Sequence, residues 1–473
     1  MYVHLFAQYP VPTFDWYHVA QATMDMLPDV ALLEIFDFYV DEYPRMAAWY
    51  TLVHVCRKWR NVVFGSPRRL NLRLWCRAST PVRERLDVWP HLPIAVEGHG
   101  DGKWGVDNFI AALKHNDRIS QIRIWSVLSL QMENVLAAMQ QPFPALTHLM
   151  LTLEGETAAV APASFLGGSA PGLQELTLQF ISFSGLPRLL LSATHLVQLE
   201  LWGIPHSCYV SPEAMVTCLS ALTRLQRLVI GFESPRSRPD RITRRPPPLT
   251  RILLPALAML YFAGVSEYLE DFVARIDAPL LERLRMTFFH QLIFDIPQLT
   301  QFIERAPEFK AHHKLHVSFD KEFVSVRLPR TFVEELDYLI SCKPSDWQLS
   351  SMAQLCSSFF PQALLPALEH LYILDYRLDW QDDIENSQWL EVLHPFAAVK
   401  DFNISSTLIP LIAPALQELV GERVMEVLPA LQTLFLGEPL PSGPVQESIG
   451  QFVAARQLAG HPIVVSRWDG HIE

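Results

Sequence analysis

His312, His313 and His316 place three imidazoles within five positions, and side chains of that type at that density can hold a transition metal. The spacing H-H-x-x-H lacks the Glu of a metalloprotease helix, and the residues that follow alternate like a strand, so no metal centre is expected. The six cysteines (Cys56, Cys76, Cys208, Cys218, Cys342 and Cys356) contain no C-x-x-C pair, which argues against zinc or thioredoxin-like chemistry. Gly167-Gly168-Ser169 is not followed by Lys and so cannot be a phosphate loop, and no G-x-S-x-G elbow occurs. The carboxylates between Asp375 and Glu385 lack the spacing and the Gly of a calcium loop and read as a surface loop. No Cys/His or Ser/His/Asp set stands out. No catalytic residue and no cofactor are therefore expected.

What the sequence does offer is recognition chemistry. Between Arg236 and Arg251 six Arg gather around Pro246-Pro247-Pro248 in an otherwise acidic chain. With no apolar periodicity this should be an exposed, extended loop, and Arg236, Arg238, Arg241, Arg244 and Arg245 are candidates to grip an acidic or phosphorylated target through their guanidinium forks. The same composition also suits a solvated insertion.

The elements that would carry recognition begin near Met26. Leu27-Pro28-Asp29 reads as a helix start, because Pro has no N–H to lose in the first turn and Asp29 favours the positive end of the helix dipole. Leu32, Ile35, Phe36 and Tyr39 then recur at helical spacing. After Pro44 a second helix of about four turns is expected, with Trp49, Val53, Cys56, Arg60 and Val63 on one face and Leu52, Val55, Trp59 and Val62 on the next. So short a module cannot cover two apolar faces, and the leftover face calls for a partner.

Leu27-Pro28, Leu33-Glu34-Ile35-Phe36 and Val55-Cys56-Arg57-Lys58-Trp59-Arg60, in that order, resemble the F-box motif, and the stretch to Cys76 is similar to fungal F-box proteins. The linker from Val40 to Met46 is longer and more acidic than the family pattern. The resemblance implies a small helical bundle that docks on the Skp-family adaptor of a cullin-RING ubiquitin ligase. It implies that Leu27, Pro28, Leu32, Ile35, Phe36, Val55, Cys56, Trp59 and Arg60 line or support that contact.

The 473 residues can bury more than one core; half are apolar, so the chain should fold. Apolar runs never reach 18 residues, so no helix is expected to span a bilayer, and the formal charge of −12 disfavours nucleic acid as a partner. The N-terminus lacks the basic opening and apolar middle of a secretory signal, which predicts a reducing compartment, cytoplasmic or nuclear. Only 8 of the 38 basic residues are Lys, a skew that a GC-rich coding bias would also produce.

From about residue 119 the pattern changes. The form P-x-L-x-x-L occurs seven times, starting at Pro144, Pro171, Pro255, Pro279, Pro366, Pro414 and Pro429, where chance placement of Leu and Pro predicts roughly one. Six copies continue with an apolar residue two positions on, at Leu151, Leu178, Phe262, Met286, Ile373 and Leu436, completing the L-x-x-L-x-L strand signature of leucine-rich repeats. Looser copies begin at Ile119, Leu196, Leu225 and Val399, and the register between 287 and 365 is obscure. Helical segments such as Ser211 to Leu222 lie between copies. A doubly wound α/β domain also alternates strands and helices but would not set Pro two residues before the strand Leu so often.

The expected fold is therefore mixed: an N-terminal all-α F-box bundle followed by an α/β leucine-rich-repeat-like solenoid. The divisions are an extension over 1–23, the F-box and linker helix region over 24–76, a connecting segment over 77–118, the solenoid over 119–440 and a cap over 441–473. The expected function is the non-catalytic substrate-recognition subunit of an SCF-type ubiquitin ligase, which binds a Skp-family adaptor, through it a cullin, and a target protein. The alternative is a ligase-independent F-box scaffold or sensor.

Overall fold

The computed structural model describes residues 27–42, 48–66, 72–89, 91–155, 157–239, 250–289, 296–306, 309, 312–330, 333–342, 345–358, 365–376, 384–438 and 442–468. The extension over 1–23 lies outside them. The chain opens with α1 (Asp29–Glu42), α2 (Ala48–Val55) and α3 (Arg57–Gly65), which pack on one another. The single four-turn helix expected after Pro44 is instead two. Cys56 leaves the helical region (φ −156°, ψ 171°) and its thiol accepts the Trp59 N–H at 3.4 Å, so a new helix starts there.

Strands and helices then alternate: β1 (Leu72–Trp75), α4 (Val82–Val88), β2 (Ile94–His99), α5 (Val106–Leu113), β3 (Ile119–Val127), α6 (Ser129–Ala138) and β4 (His148–Leu153). Short β5 (Ala159–Val160) and β7 (Ile181–Ser182) pair beside the main sheet, with β6 (Glu175–Gln179) between them in sequence, followed by α7 (Leu186–Ser192), β8 (Gln198–Ile204), α8 (Pro212–Leu219) and β9 (Arg227–Phe232). Next come β10 (Ile252–Leu253), β11 (Met259–Gly264), α9 (Ser266–Val273), β12 (Ile276–Asp277, paired with β10), β13 (Arg283–Phe289) and α10 (Pro297–Arg305). The segment 77–118, expected as a connector, thus carries α4, β2 and α5, and β2 is in register with both β1 and β3.

The last third holds β14 (Lys314–Phe319), β15 (Phe323–Arg330), β16 (Val333–Ser341), α11 (Ser345–Ser358), β17 (His370–Asp375), α12 (Asn386–Leu393), β18 (Asp401–Ile404), α13 (Ile409–Gln417), β19 (Thr433–Gly437), α14 (Pro444–Leu458) and β20 (Val464–Trp468). Sixteen strands form one sheet in the order β1-β2-β3-β4-β6-β8-β9-β11-β13-β16-β15-β14-β17-β18-β19-β20. Neighbours are parallel except at β15, which is antiparallel to β14 and β16. The weak stretch after Leu281 is therefore an antiparallel meander spliced into a parallel ladder in reversed order. Its strands alternate apolar and polar residues without the Pro-Leu lead, as hairpin strands do.

Register explains the leucines. Leu74, Val96, Ile122, Leu149, Leu176, Leu199, Leu228, Leu260, Leu284 and Leu336 form one buried row across ten adjacent strands, and Leu371, Phe402 and Leu434 continue it beyond the meander. Against this face the helices stack in turn, α7 on α8, α8 on α9, α9 on α10 and α12 on α13. A strand–helix unit cannot bury its face alone, so the stack shares one core, continuous from Leu32 to Ile463. One buried carboxylate inside it is satisfied across units: Glu270 accepts the N–H groups of Gln298 (2.5 Å) and Leu299 (2.9 Å) at the start of α10.

One expected strand is absent. Pro414, Leu416 and Leu419 lie in and just after α13 rather than on a strand, and theirs is the copy with no apolar residue two positions further on. Among the described residues no helix is long and apolar enough to cross a membrane.

Candidate docking site

The three N-terminal helices divide their apolar residues in two. Leu32 and Phe36 of α1, Leu52 and Val53 of α2 and Val62 and Val63 of α3 are buried. Trp59 is half-buried, its ring 4.7 Å from that of Phe36. Leu27 is half-buried and Pro28 exposed. Pro28 still shapes the turn, because its carbonyl accepts the Leu32 N–H at 3.1 Å.

Two basic side chains fasten these helices. Arg60, itself exposed, donates from Nε to the Val53 carbonyl at 3.0 Å, so α3 is tied to the C-terminal end of α2, where carbonyls lack helical partners. Lys58 Nζ donates to the Leu27 carbonyl at 2.7 Å, which ties α3 to the turn before α1. Cys56, Trp59 and Arg60 therefore act in the motif segment as cap, packing group and clasp.

Other apolar side chains of these helices face water. Ile35 is 46% exposed and Val55 55% exposed, and Val30, Phe38 and Phe64 join them. Scattered exposed apolar groups are ordinary, but here five large ones stand exposed on three short helices. Burying one such side chain is worth roughly 1.5–3 kcal/mol, so a partner covering several would gain substantially. Val30, Phe38 and Phe64 were not among the expected contacts. Their signal was present: Val30 and Phe38 are apolar yet fall off the Leu32–Phe36 stripe at 3.6 residues per turn.

The face of the sheet opposite the leucine row carries the alternate side chains of each strand. One outward row runs from strand to strand as Trp75, Glu97, Arg123, Met150, Thr177, Glu200, Val229, Tyr261, Arg285, Asp337, Arg327, His316, Tyr372, Asn403, Phe435 and Ser466. Buried Asp337 lies 3.3 Å from Arg285 and 3.5 Å from Arg327. Burial lifts the Glu97 carboxyl above its ordinary pKa against the pull of Arg73 (3.6 Å away) and Arg123. Burial, then Lys314 and Arg327, holds the His316 imidazole down at about 4, and its ring packs 4.6 Å from that of Tyr372.

His312 and His316 are buried and His313 is exposed; among the described residues no group of His, Cys, Asp or Glu is placed to hold a metal, and the described cysteines are all free thiols. Arg236 and Arg238 sit exposed just after β9, where Arg238 donates to the Pro235 carbonyl at 3.0 Å. Arg241, Arg244 and Arg245 lie outside the described residues.

No family model matches the chain, and no curated protein matches it. Among solved structures, a leucine-rich repeat-containing protein from Legionella pneumophila is similar at 12% identity over 83% of this chain and 98% of that one, with a TM-score of 0.27. So slight a likeness carries no argument about what the chain does.

Proposed function

We propose that the chain is the substrate-recognition subunit of an SCF-type cullin-RING ubiquitin ligase. In this reading residues 27–65 are an F-box that docks on a Skp-family adaptor, and the strand–helix stack holds a target protein. The chain performs no bond chemistry. It raises the local concentration of target lysines beside a ubiquitin-loaded enzyme, converting an encounter between dilute proteins into a local one.

The observation that carries the reading is how the motif residues divide. Leu32, Phe36 and Trp59 turn toward the helical core, while Pro28, Ile35 and Val55 stand at the surface with Val30 and Phe38. A motif kept only for folding would have no reason to leave large apolar side chains in water.

The test is co-purification of the adaptor with the full chain and with a Pro28→Ala/Ile35→Asp variant. Both side chains are exposed, so the variant should melt like wild type while adaptor capture falls by at least about tenfold. Undiminished capture would sink the assignment. Adaptor recovered consistently without a cullin would favour the ligase-independent scaffold instead.

A further inference from the structure

Midway along the sheet two guanidinium groups converge on one sulfur atom. Arg227 on β9 and Arg283 on β13 flank Met259 on β11 in register, on the open face of the sheet. Arg227 Nη1 lies 3.4 Å and Arg283 Nη1 4.0 Å from the same Met259 Sδ. Like charges brought together across strands repel, so the arrangement has a cost. One carboxylate offsets it: Glu200 on β8 accepts from Arg227 Nε at 2.5 Å. Among the described residues no carboxylate pairs with Arg283, which is half-exposed. Arg285, two residues further along the same strand, is occupied with Asp337. The Arg227 guanidinium also stacks over the Tyr261 ring at 4.7 Å, which fixes its plane. The result is a pair of oriented donor forks, with Glu200 on the side of Arg227 away from Arg283, in a chain whose net charge is −12.

We propose that Arg227 and Arg283 form a clamp for a carboxylate side chain in an acidic segment of a protein partner. The charge deficit and the fork geometry argue for an oxyanion. A carboxylate fits because Glu200 already shows how one lies against Arg227, and among the described residues no carboxylate lies against Arg283. The clamp is separate from the Arg236–Arg251 loop, because Arg227 begins β9 and the loop leaves from its other end. The proposal rests on the stack being the part that holds a partner. It is measured on the chain alone, so its failure is distinguishable from a failure to bind the adaptor.

The experiment is fluorescence anisotropy of a labelled hexaglutamate peptide against the full chain, with hexaglutamine and a phosphoserine peptide as comparators. Hexaglutamate should bind better than hexaglutamine. Arg283→Gln should weaken it at least tenfold, and Arg83→Gln, a distant exposed position, should leave it unchanged. Glu200→Gln, which frees Arg227, should strengthen binding several-fold, a gain that damage to the fold cannot mimic. Equal binding of hexaglutamate and hexaglutamine, or full binding by Arg283→Gln, overturns the proposal. So does binding lost in Arg236→Gln/Arg238→Gln but kept in Arg283→Gln, or binding by the phosphoserine peptide alone.

Discussion

The indole of Trp59 lies 4.7 Å from the ring of Phe36, tilted by 57°, and this contact joins α3 to α1. Because the indole is half-buried, Trp59→Ala should cost about 2–3 kcal/mol, less than the 3–5 kcal/mol of a fully enclosed aromatic. Hydrogen exchange of residues 29–65 should show the loss there, with exchange in the sheet unchanged.

Cys56 caps α3 through its sulfur, a weak acceptor. Cys56→Ser offers a better one and should hold or slightly raise stability. Cys56→Ala removes the cap and should lower stability by about 0.5–2 kcal/mol, read from urea unfolding.

His316 is kept neutral in the fold, with a pKa of about 4 against an ordinary 6.5. The unfolded chain therefore takes up this proton first as pH falls. The stability His316 contributes is present above pH 6.5 and is lost as pH falls toward 4. Melting temperatures at pH 7 and pH 4.5 should fall further for wild type than for His316→Gln.

Glu97 runs the other way. Its folded pKa is raised, so its contribution is favourable below the ordinary value of 4.5 and is lost as pH rises through the folded pKa. Glu97→Gln should melt higher than wild type at pH 7, with the gap closing toward pH 4.

Pro414 sits inside α13 and cannot donate to the helix. Pro414→Ala should restore that donor and raise stability by about 1–2 kcal/mol in urea unfolding, with the fold unchanged.

The strands that announce themselves in the sequence are those where Pro-x-Leu leads into alternating apolar residues, as at Leu149-Leu151 and Leu176-Leu178. Six copies with the trailing apolar residue are strands; the copy at Pro414 lacks it, and its Leu spacing of three suits a helix equally well. β1 offers only Leu72 and Leu74, and β2 is buried over most of its length, so neither shows the repeat signature. The break at Cys56 is invisible to periodicity because the apolar pattern continues through it while only the backbone turns. The motif residues could be named in advance, but which of them face water could not, since that depends on how α1, α2 and α3 pack. Arg283 was illegible as a site because Met259 and Arg227 meet it only through strand register.

The reversed order β16-β15-β14 bears on how the chain is made. In the main sheet before it, each strand from β2 on emerges from the ribosome with its neighbour already in place and can add to the growing edge. At β13 that stops: its partner β16 is synthesised only after β14 and β15, so the N-terminal part must wait with an open edge while the meander assembles. Pauses in translation or chaperone contacts should therefore concentrate on nascent chains that end between β13 and β16, the interval in which mispairing between copies is most exposed.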